Sequence, residues 1–185
     1  MKYILIALMD EAYGIENNAD QRILLTGVGK VNATMAAMKA VQAGATEIIN
    51  FGTAGLVSNK QATAGELVEV DIILQRDMIA EPLSPRGITP FEMDSTAGTI
   101  DLGTGTDITL GTGDSFVQEY DPWFDYANID IVDMEAYAIA KACQYHGVDF
   151  KCFKYISDNA DENANNDWHE TVANGEPFYI EKLNG

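Results

Sequence analysis

The sequence is poor in the residues from which many active sites are built. It contains two cysteines and two histidines among its 185 residues. There is no CxxC, and His146 and His169 have no metal-ligand spacing with Cys143 or Cys152. We therefore expect two buried, reduced thiols and no metal site. A Ser-His-Asp or Cys-His catalytic arrangement is poorly supported.

Positive charge and long apolar runs are also scarce. The chain has 29 acidic residues against 11 lysines and arginines, for a net charge of −18. Such a surface repels nucleic acid and anionic membranes, so we expect neither as a partner. No run approaches the roughly 20 apolar residues of a membrane helix. The apolar N-terminus lacks a basic region and a cleavage site, so it is interpreted as a buried strand rather than a signal peptide. A cytoplasmic protein is expected.

What is present is the pattern of one α/β domain over residues 1–185. Apolar residues make up 46% of the chain, which is typical of a globular protein. Strands are predicted over residues 2–8, 22–26, 47–57, 66–75 and 148–156, with short strands in 99–117. Helices are predicted over 30–44, from about 132 to 146, and in a short tail segment over 168–183. Residues 80–98 carry three prolines and are predicted to form a loop.

The predicted strand ends carry the candidate site residues, because ligands of open α/β sheets bind outside the carboxyl ends of the strands. These ends hold residues 9–11, 26–29, 50–55, Ser157 and Asp158. Glycine turns at 27–29 and 52–55 would let the backbone approach a ligand closely. Gly27-x-Gly29 lacks the third glycine of the dinucleotide fingerprint, which argues against a nicotinamide oxidoreductase.

Two carboxylates stand out. Asp158 follows an apolar and aromatic strand, where partial burial raises the pKa of a carboxyl and lets it hold a proton. A turn or cap aspartate is the alternative. Glu135 precedes the apolar run AYAIA, so its charge needs hydrogen-bond donors, and a sugar diol supplies two. The alternative for Glu135 is an acidic residue whose charge stabilises a helix N-terminus. Asp133 is also interpreted as such a helix-start charge.

Five segments together resemble the 5′-methylthioadenosine/S-adenosylhomocysteine nucleosidases of the nucleoside phosphorylase superfamily. They are GVGKVNA (27–33), NFGTAGL (50–56), TGDSF (112–116), VDMEAYAIA (132–140) and ISDNAD (156–161). The resemblance implies an α/β fold built as a three-layer α/β/α sandwich around a mixed central sheet. It also implies a homodimer, a nucleoside substrate, a place in methionine salvage, and no metal or other cofactor.

The resemblance also implies roles for individual residues. Glu135 would bind the two ribose hydroxyls beside Met134, and Asp158 would protonate the departing purine at N7 with Ser157 next to it. The purine would lie against Phe116 and Val117. The turn that contains Thr53, Ala54 and Gly55 would lie near the ribose and the attacking water.

The sequence departs from the family at the water-activating glutamate, whose position holds Ala12. Glu11, one residue earlier, is the expected substitute. The segment 12–22 is shorter than in the family, and the loop 76–92, which normally helps to cover the 5′ substituent, differs. The identity of the 5′ group is therefore left open.

Water is the expected nucleophile. Members that use phosphate carry an arginine just before the Gly-Thr turn, and Asn50 stands there. Arginine is the natural bidentate ligand of phosphate. A phosphate-dependent phosphorylase remains an alternative, since Lys30 or an arginine of a second subunit could supply the missing charge. A non-catalytic nucleoside-binding or storage protein is the other alternative, suggested by Ala12.

Overall fold

A mixed sheet forms the centre of the fold, and an α-helix interrupts the four strands of the first third of the chain. The computed structural model describes residues 1–11, 13–58, 60–92 and 98–184. The strands are β1 (Lys2–Ile6), β2 (Gln21–Leu25), β3 (Glu47–Asn50), β4 (Thr53–Leu56), β5 (Leu67–Glu69), β6 (Ile72–Gln75), β7 (Thr99–Asp101), β8 (Thr109–Thr112), β9 (Ile131–Asp133) and β10 (Asp149–Asp158). The helices are α1 (Lys30–Gln42), α2 (Pro122–Tyr126), α3 (Ala136–His146), α4 (Ala164–Thr171) and α5 (Glu176–Asn184). Short 3₁₀ turns span Met9–Glu11 and Val172–Gly175.

The sheet contains both parallel and antiparallel pairs, as predicted. Its strand order is β2-β1-β3-β10-β4-β9-β8-β6-β7, and β5 pairs with β10 outside this path. β1, β2, β3, β10 and β4 run parallel, while β9 is antiparallel to β4 and parallel to β8. β10 ends at Asp158 on one side of β4 and β9 ends at Asp133 on its other side, so the ends of strands from both halves lie next to the same strand.

The side chains of β1 point alternately to the two faces of the sheet, and this explains why helices cover both faces. Leu5 packs in a cluster with α1 and α3, which are rich in alanine and approach each other closely. Its neighbours Ile4 and Ile6 point to the opposite face, where they join Phe51 and Tyr179 of α5 in a second cluster. Successive side chains of a strand point to opposite faces, so a strand apolar at every position is one buried on both sides. The predicted three-layer α/β/α sandwich is confirmed.

Three predicted elements differ from those observed. The strand expected over 66–75 is two strands, because Val70 donates its N–H to Cys152 while Asp71 donates to Ile108 on the other side. The strand expected over 47–57 breaks at residues 51–52 between β3 and β4. The tail forms two helices joined by a 3₁₀ turn rather than one short helix, and the short α2 was not predicted.

The predicted helix start near residue 132 is wrong. Residues 131–133 form β9, and α3 begins only at Ala136. Its predicted end is confirmed, since Gly147 adopts a left-handed conformation with φ 64° after the last turn. The shift matters for the site, because Asp133 ends a strand and Glu135 lies in the connection between that strand and the helix.

Within the described residues, none of the helices combines the length and the hydropathy that crossing a membrane requires. The predicted loop over 80–98 contains no helix or strand between residues 80 and 92, and its residues 93–97 lie outside the described residues.

Candidate active site

A cavity of about 210 Å³ opens where strands from the two halves of the sheet end. Every residue predicted for the site lines it. They are Glu11, Thr53, Ala54, Gly55, Phe116, Val117, Met134, Glu135, Ser157 and Asp158. The sequence segments that carry these residues are up to about 150 positions apart, so the fold is what brings them together.

Asp158 lies at the end of β10, with its carboxylate held from two sides. Its Oδ2 accepts a hydrogen bond from the Ser157 hydroxyl at 2.7 Å, and its Oδ1 accepts one from the Ala160 N–H at 2.9 Å. Burial raises the pKa of Asp158 and outweighs these two bonds, and repulsion from Asp167 and Asp161 adds to the increase. A carboxyl of this kind retains its proton to a higher pH than an exposed aspartate does.

Glu135 is buried between β9 and α3, and its Oε1 accepts a hydrogen bond from the Gly29 N–H at 2.8 Å. The first glycine turn thus serves the carboxylate rather than a dinucleotide. The pKa of Glu135 is raised to about 7, mainly by burial and also by the nearby charge of Asp133, against the opposing effect of Lys154. A ligand that donated hydrogen bonds to this carboxylate would favour its charged form.

The side chain of Asp133 is almost fully buried and has three partners. Its Oδ2 accepts the N–H of Ala136, which begins α3, and it forms a fully buried ion pair with Lys154 at 2.9 Å. Its Oδ1 accepts the Thr112 hydroxyl at 2.6 Å. Asp133 is therefore a charge at the start of α3, as the sequence suggested, and it also lines the cavity.

Lys154 counterbalances the buried carboxylates. Burial lowers the pKa of its ammonium group, but Asp133, Cys152 and Glu135 together outweigh burial, and the pKa lies above its ordinary value. A Cβ built on Gly52 would lie 3.4 Å from the Nζ of Lys154 and also 3.4 Å from Oε1 of Glu11. Lys154 is therefore a charged neighbour of both Glu11 and Asp133.

Glu11 lies in the cavity although it was expected only as a substitute. The 3₁₀ turn Met9–Glu11 directs its side chain inward, where it is 3% exposed. Its Oε1 accepts hydrogen bonds from the N–H and the hydroxyl of Thr53 at 2.9 and 3.0 Å, and its Oε2 accepts the Leu8 N–H at 3.0 Å. Ala12, the position of the family's glutamate, lies outside the described residues.

Arg76 was not predicted as a site residue, and it lines the cavity at the end of β6. Its guanidinium donates to the Gly113 carbonyl at 3.1 Å and to the Ser115 hydroxyl at 3.0 Å, and it also donates to the Ser115 carbonyl. These bonds hold the turn that precedes Phe116. The rule that located Asp158, a polar residue directly after an apolar strand, applies equally to Arg76 and could have found it.

Trp168 and Asn165 of α4 are further lining residues that were not predicted. Their helix packs over the end of β10, where the Thr171 hydroxyl donates to the Ser157 carbonyl at 2.8 Å. Nothing in the local sequence separates them from other residues of an ordinary surface helix.

The fold and the cavity define an α/β protein with a nucleoside-sized site of buried carboxylates, and comparison with known proteins assigns it to a family. The family model of the phosphorylase superfamily matches residues 12–178. The chain belongs to that superfamily.

Individual relatives indicate which members of the superfamily the chain resembles. The chain is 28% identical over 172 residues to the 5′-methylthioadenosine/S-adenosylhomocysteine nucleosidase of Haemophilus influenzae (strain PittGG), covering 83% of this chain and 75% of that one. It is 28% identical to the protein of the same name from Exiguobacterium sp. (strain ATCC BAA-1283 / AT1b), covering 82% and 73%. The resemblance stated from the sequence is thus confirmed.

Solved structures show the same fold. The Helicobacter pylori nucleosidase of the same name, with butyl-thio-DADMe-Immucillin-A, superposes with a TM-score of 0.82 at 20% identity over 98% of this chain and 96% of that one. Futalosine hydrolase of Helicobacter pylori strain 26695 superposes with a TM-score of 0.82 at 20% identity over 99% and 97%.

Proposed function

We propose that the protein hydrolyses the N-glycosidic bond of an adenine nucleoside such as 5′-methylthioadenosine or S-adenosylhomocysteine and releases the free base. The observation that carries this proposal is a pair of buried carboxyl groups in one cavity, each held by its own hydrogen-bond donors. Asp158 has a raised pKa and a hydroxyl neighbour, while Glu11 is held by donors at the other side. Two carboxyl groups with separate tasks are what glycoside hydrolysis requires.

Asp158 supplies the proton for the leaving base. Cleavage of the bond leaves electrons on the purine, and protonation at N7 makes the base a better leaving group. The raised pKa keeps Asp158 protonated to a higher pH, and Ser157 fixes the orientation of its carboxyl group. Phe116 and Val117 would hold the purine ring against this acid.

Glu135 and Met134 hold the sugar. The Glu135 carboxylate would accept hydrogen bonds from the two ribose hydroxyls while Met134 packs against the ring. A negative charge there also stabilises the positive charge that develops on the sugar in an oxocarbenium-like transition state.

Glu11 orients the attacking water. Three of its hydrogen bonds come from the protein and fix the carboxylate. Thr53, Ala54 and Gly55, which line the same wall, would lie near the ribose and the water. The water attacks the sugar carbon from the face opposite the base, transfers a proton toward Glu11, and becomes the new hydroxyl of the sugar.

The charges around the cavity favour water over phosphate. Asn50 donates its side-chain amide to the Leu5 and Phe51 carbonyls at 3.0 Å each and so serves the backbone. Lys30 is paired with Asp77 at 2.6 Å, and Lys154 with Asp133. The two terminal nitrogens of the Arg76 guanidinium donate to the Gly113–Ser115 turn. An incoming phosphate would have to compete with these partners and approach four buried acidic side chains, Glu11, Asp133, Glu135 and Asp158.

Free-base release from a nucleoside panel tests the proposal. The panel contains 5′-methylthioadenosine, S-adenosylhomocysteine, adenosine, inosine and futalosine, each assayed with and without phosphate. We expect adenine release that does not depend on phosphate. Ribose-1-phosphate formed only with phosphate would establish the phosphorylase instead, and nucleoside binding without any base release would establish the binding protein.

We also propose a cytoplasmic homodimer. Val28, Val31 and Met35, at and near the start of α1, are 44%, 72% and 68% exposed, an apolar surface that a second copy would cover. Light scattering of the purified protein tests this assembly, and a mass of one chain at micromolar concentration would reject it.

A further inference from the structure

Trp168 makes a hydrogen bond that connects α4 to the buried carboxylate of Glu11. Its indole Nε1–H donates to the Thr53 hydroxyl at 3.0 Å, and the same hydroxyl donates to Oε1 of Glu11 at 3.0 Å. The three side chains form a continuous path between residues 11, 53 and 168, and all three line the cavity.

The direction of both bonds follows from the groups involved. An indole N–H can only donate, and an ionised carboxylate can only accept. Thr53 has a single hydroxyl proton, so accepting from Trp168 leaves that proton for Glu11. The indole N–H therefore occupies a lone pair of the hydroxyl and reinforces the orientation in which the hydroxyl proton points to Glu11.

Glu11 depends on this hydroxyl because its Oε1 has two donors, both from Thr53. The backbone N–H at 2.9 Å is part of the turn and cannot be reoriented, whereas the hydroxyl can. A carboxylate that orients water must keep its free lone pairs in a constant direction, and supporting hydrogen bonds provide this.

We propose, on the basis of the function proposed above, that Trp168 is a positioning residue which orients Glu11 through the Thr53 hydroxyl. Packing of α4 against the cavity is thereby coupled to the geometry of the water-activating carboxylate. Thr171 secures the same helix to the Ser157 carbonyl, so one helix supports residues at both sides of the cavity.

A double-mutant cycle tests the path. Trp168→Phe keeps an aromatic ring and removes the N–H, and Thr53→Val keeps the shape and removes the hydroxyl. We expect each variant to lower kcat about fivefold or more, with KM changed less than about twofold, since each removes one hydrogen bond of the path that orients Glu11. The double variant should be no slower than the slower single variant, because the path is already broken.

Three controls keep the result interpretable. Thr53→Ser should restore nearly full kcat, because the hydroxyl is retained. Trp123→Phe, the same replacement in α2 away from the cavity, should leave kcat unchanged. Thermal unfolding of every variant establishes that it is folded, and Thr53→Ala replaces Thr53→Val if the latter does not fold.

The outcomes separate the positioning role from the proposed function. If the wild-type protein releases no base, the proposed function fails and the positioning role with it. If the wild-type protein is active and the two substitutions are additive in kcat, the path is wrong while the function stands. A Trp168→Phe variant changed only in KM would assign the indole to substrate contact and likewise overturn the proposal.

Discussion

The carboxylate of Glu135 accepts a hydrogen bond from the backbone N–H of Gly29, 106 residues earlier in the chain. The bond connects the glycine turn before α1 to the buried connection between β9 and α3. A single hydrogen bond to this buried carboxylate leaves room for further donors, and the diol of a ribose can supply them. Under the proposed function, the glycine turn of this fold is part of the ribose site.

Replacing Glu135 with glutamine should weaken substrate binding and stabilise the protein above neutral pH. The folded-state pKa of Glu135, about 7, lies above its ordinary value of 4.5, so the folded state binds this proton more tightly than the unfolded state does. The free energy of unfolding therefore decreases as pH rises from 4.5 to about 7, by up to about 3 kcal/mol.

Thermal unfolding as a function of pH and steady-state kinetics measure the two effects of Glu135→Gln. The variant should lose this pH dependence and show slower turnover with a higher KM. Glu162→Gln, at an exposed position, serves as the control. A variant that is only less stable, with unchanged kinetics, would show that Glu135 merely supports the start of α3.

Replacing Asp158 with asparagine should abolish turnover and preserve binding. The loss of a general acid typically lowers kcat by a factor of about 10² to 10⁴. In the wild-type protein, kcat/KM should fall as pH rises through the raised pKa of Asp158, because the acid is then ionised. Calorimetric titration of the variant with 5′-methylthioadenosine measures binding directly. Turnover at the wild-type rate would exclude Asp158 as the acid.

Replacing Gly55 with alanine should disturb Asp158 without unfolding the protein. A Cβ at this position would lie 2.8 Å from Oδ1 of Asp158 and 3.1 Å from Cβ of Ala160. The acid must therefore move, and we expect kcat to fall more than about tenfold with a stability loss of about 1–3 kcal/mol. Gly111→Ala is the matched control, because its Cβ would meet Ile129 away from the cavity at a similar 2.8 Å. Equal activity losses in both variants would argue against a specific effect on Asp158.

Replacing Arg76 with methionine should raise KM more than it lowers kcat. The guanidinium holds the Gly113 and Ser115 carbonyls in front of Phe116, which is 45% exposed and would lose its fixed position. We expect KM to rise about tenfold, since each hydrogen bond to a charged donor contributes about 1.5–3 kcal/mol. Arg22→Met is the control, at an exposed position outside the cavity. An unchanged KM would show that the turn keeps its conformation without Arg76.

The sequence predicted the site better than it predicted the ends of the secondary structure elements. The strand-end rule of α/β sheets located Glu11 and Asp158, and the apolar context of an acidic helix start located Glu135. The family resemblance implied that the three carboxylates share one site. The start of α3 was misplaced because residues 131–140 are almost continuously apolar, and periodicity cannot divide a strand from a helix in such a run. The contact between Trp168 and Thr53 joins residues 115 positions apart. It depends on how α4 packs, and local sequence patterns do not predict such packing.

β10 carries Lys154 and Asp158 four residues apart on one continuous backbone. A strand advances about 3.3 Å per residue, so at most about 13 Å separates Lys154 from Asp158 along the same segment. Under the proposed function, this strand sets the distance between Lys154, which balances the charges of Asp133 and Glu135, and the acid that protonates the base. Substitutions in the surrounding loops would then change which 5′ group is accepted without altering that distance.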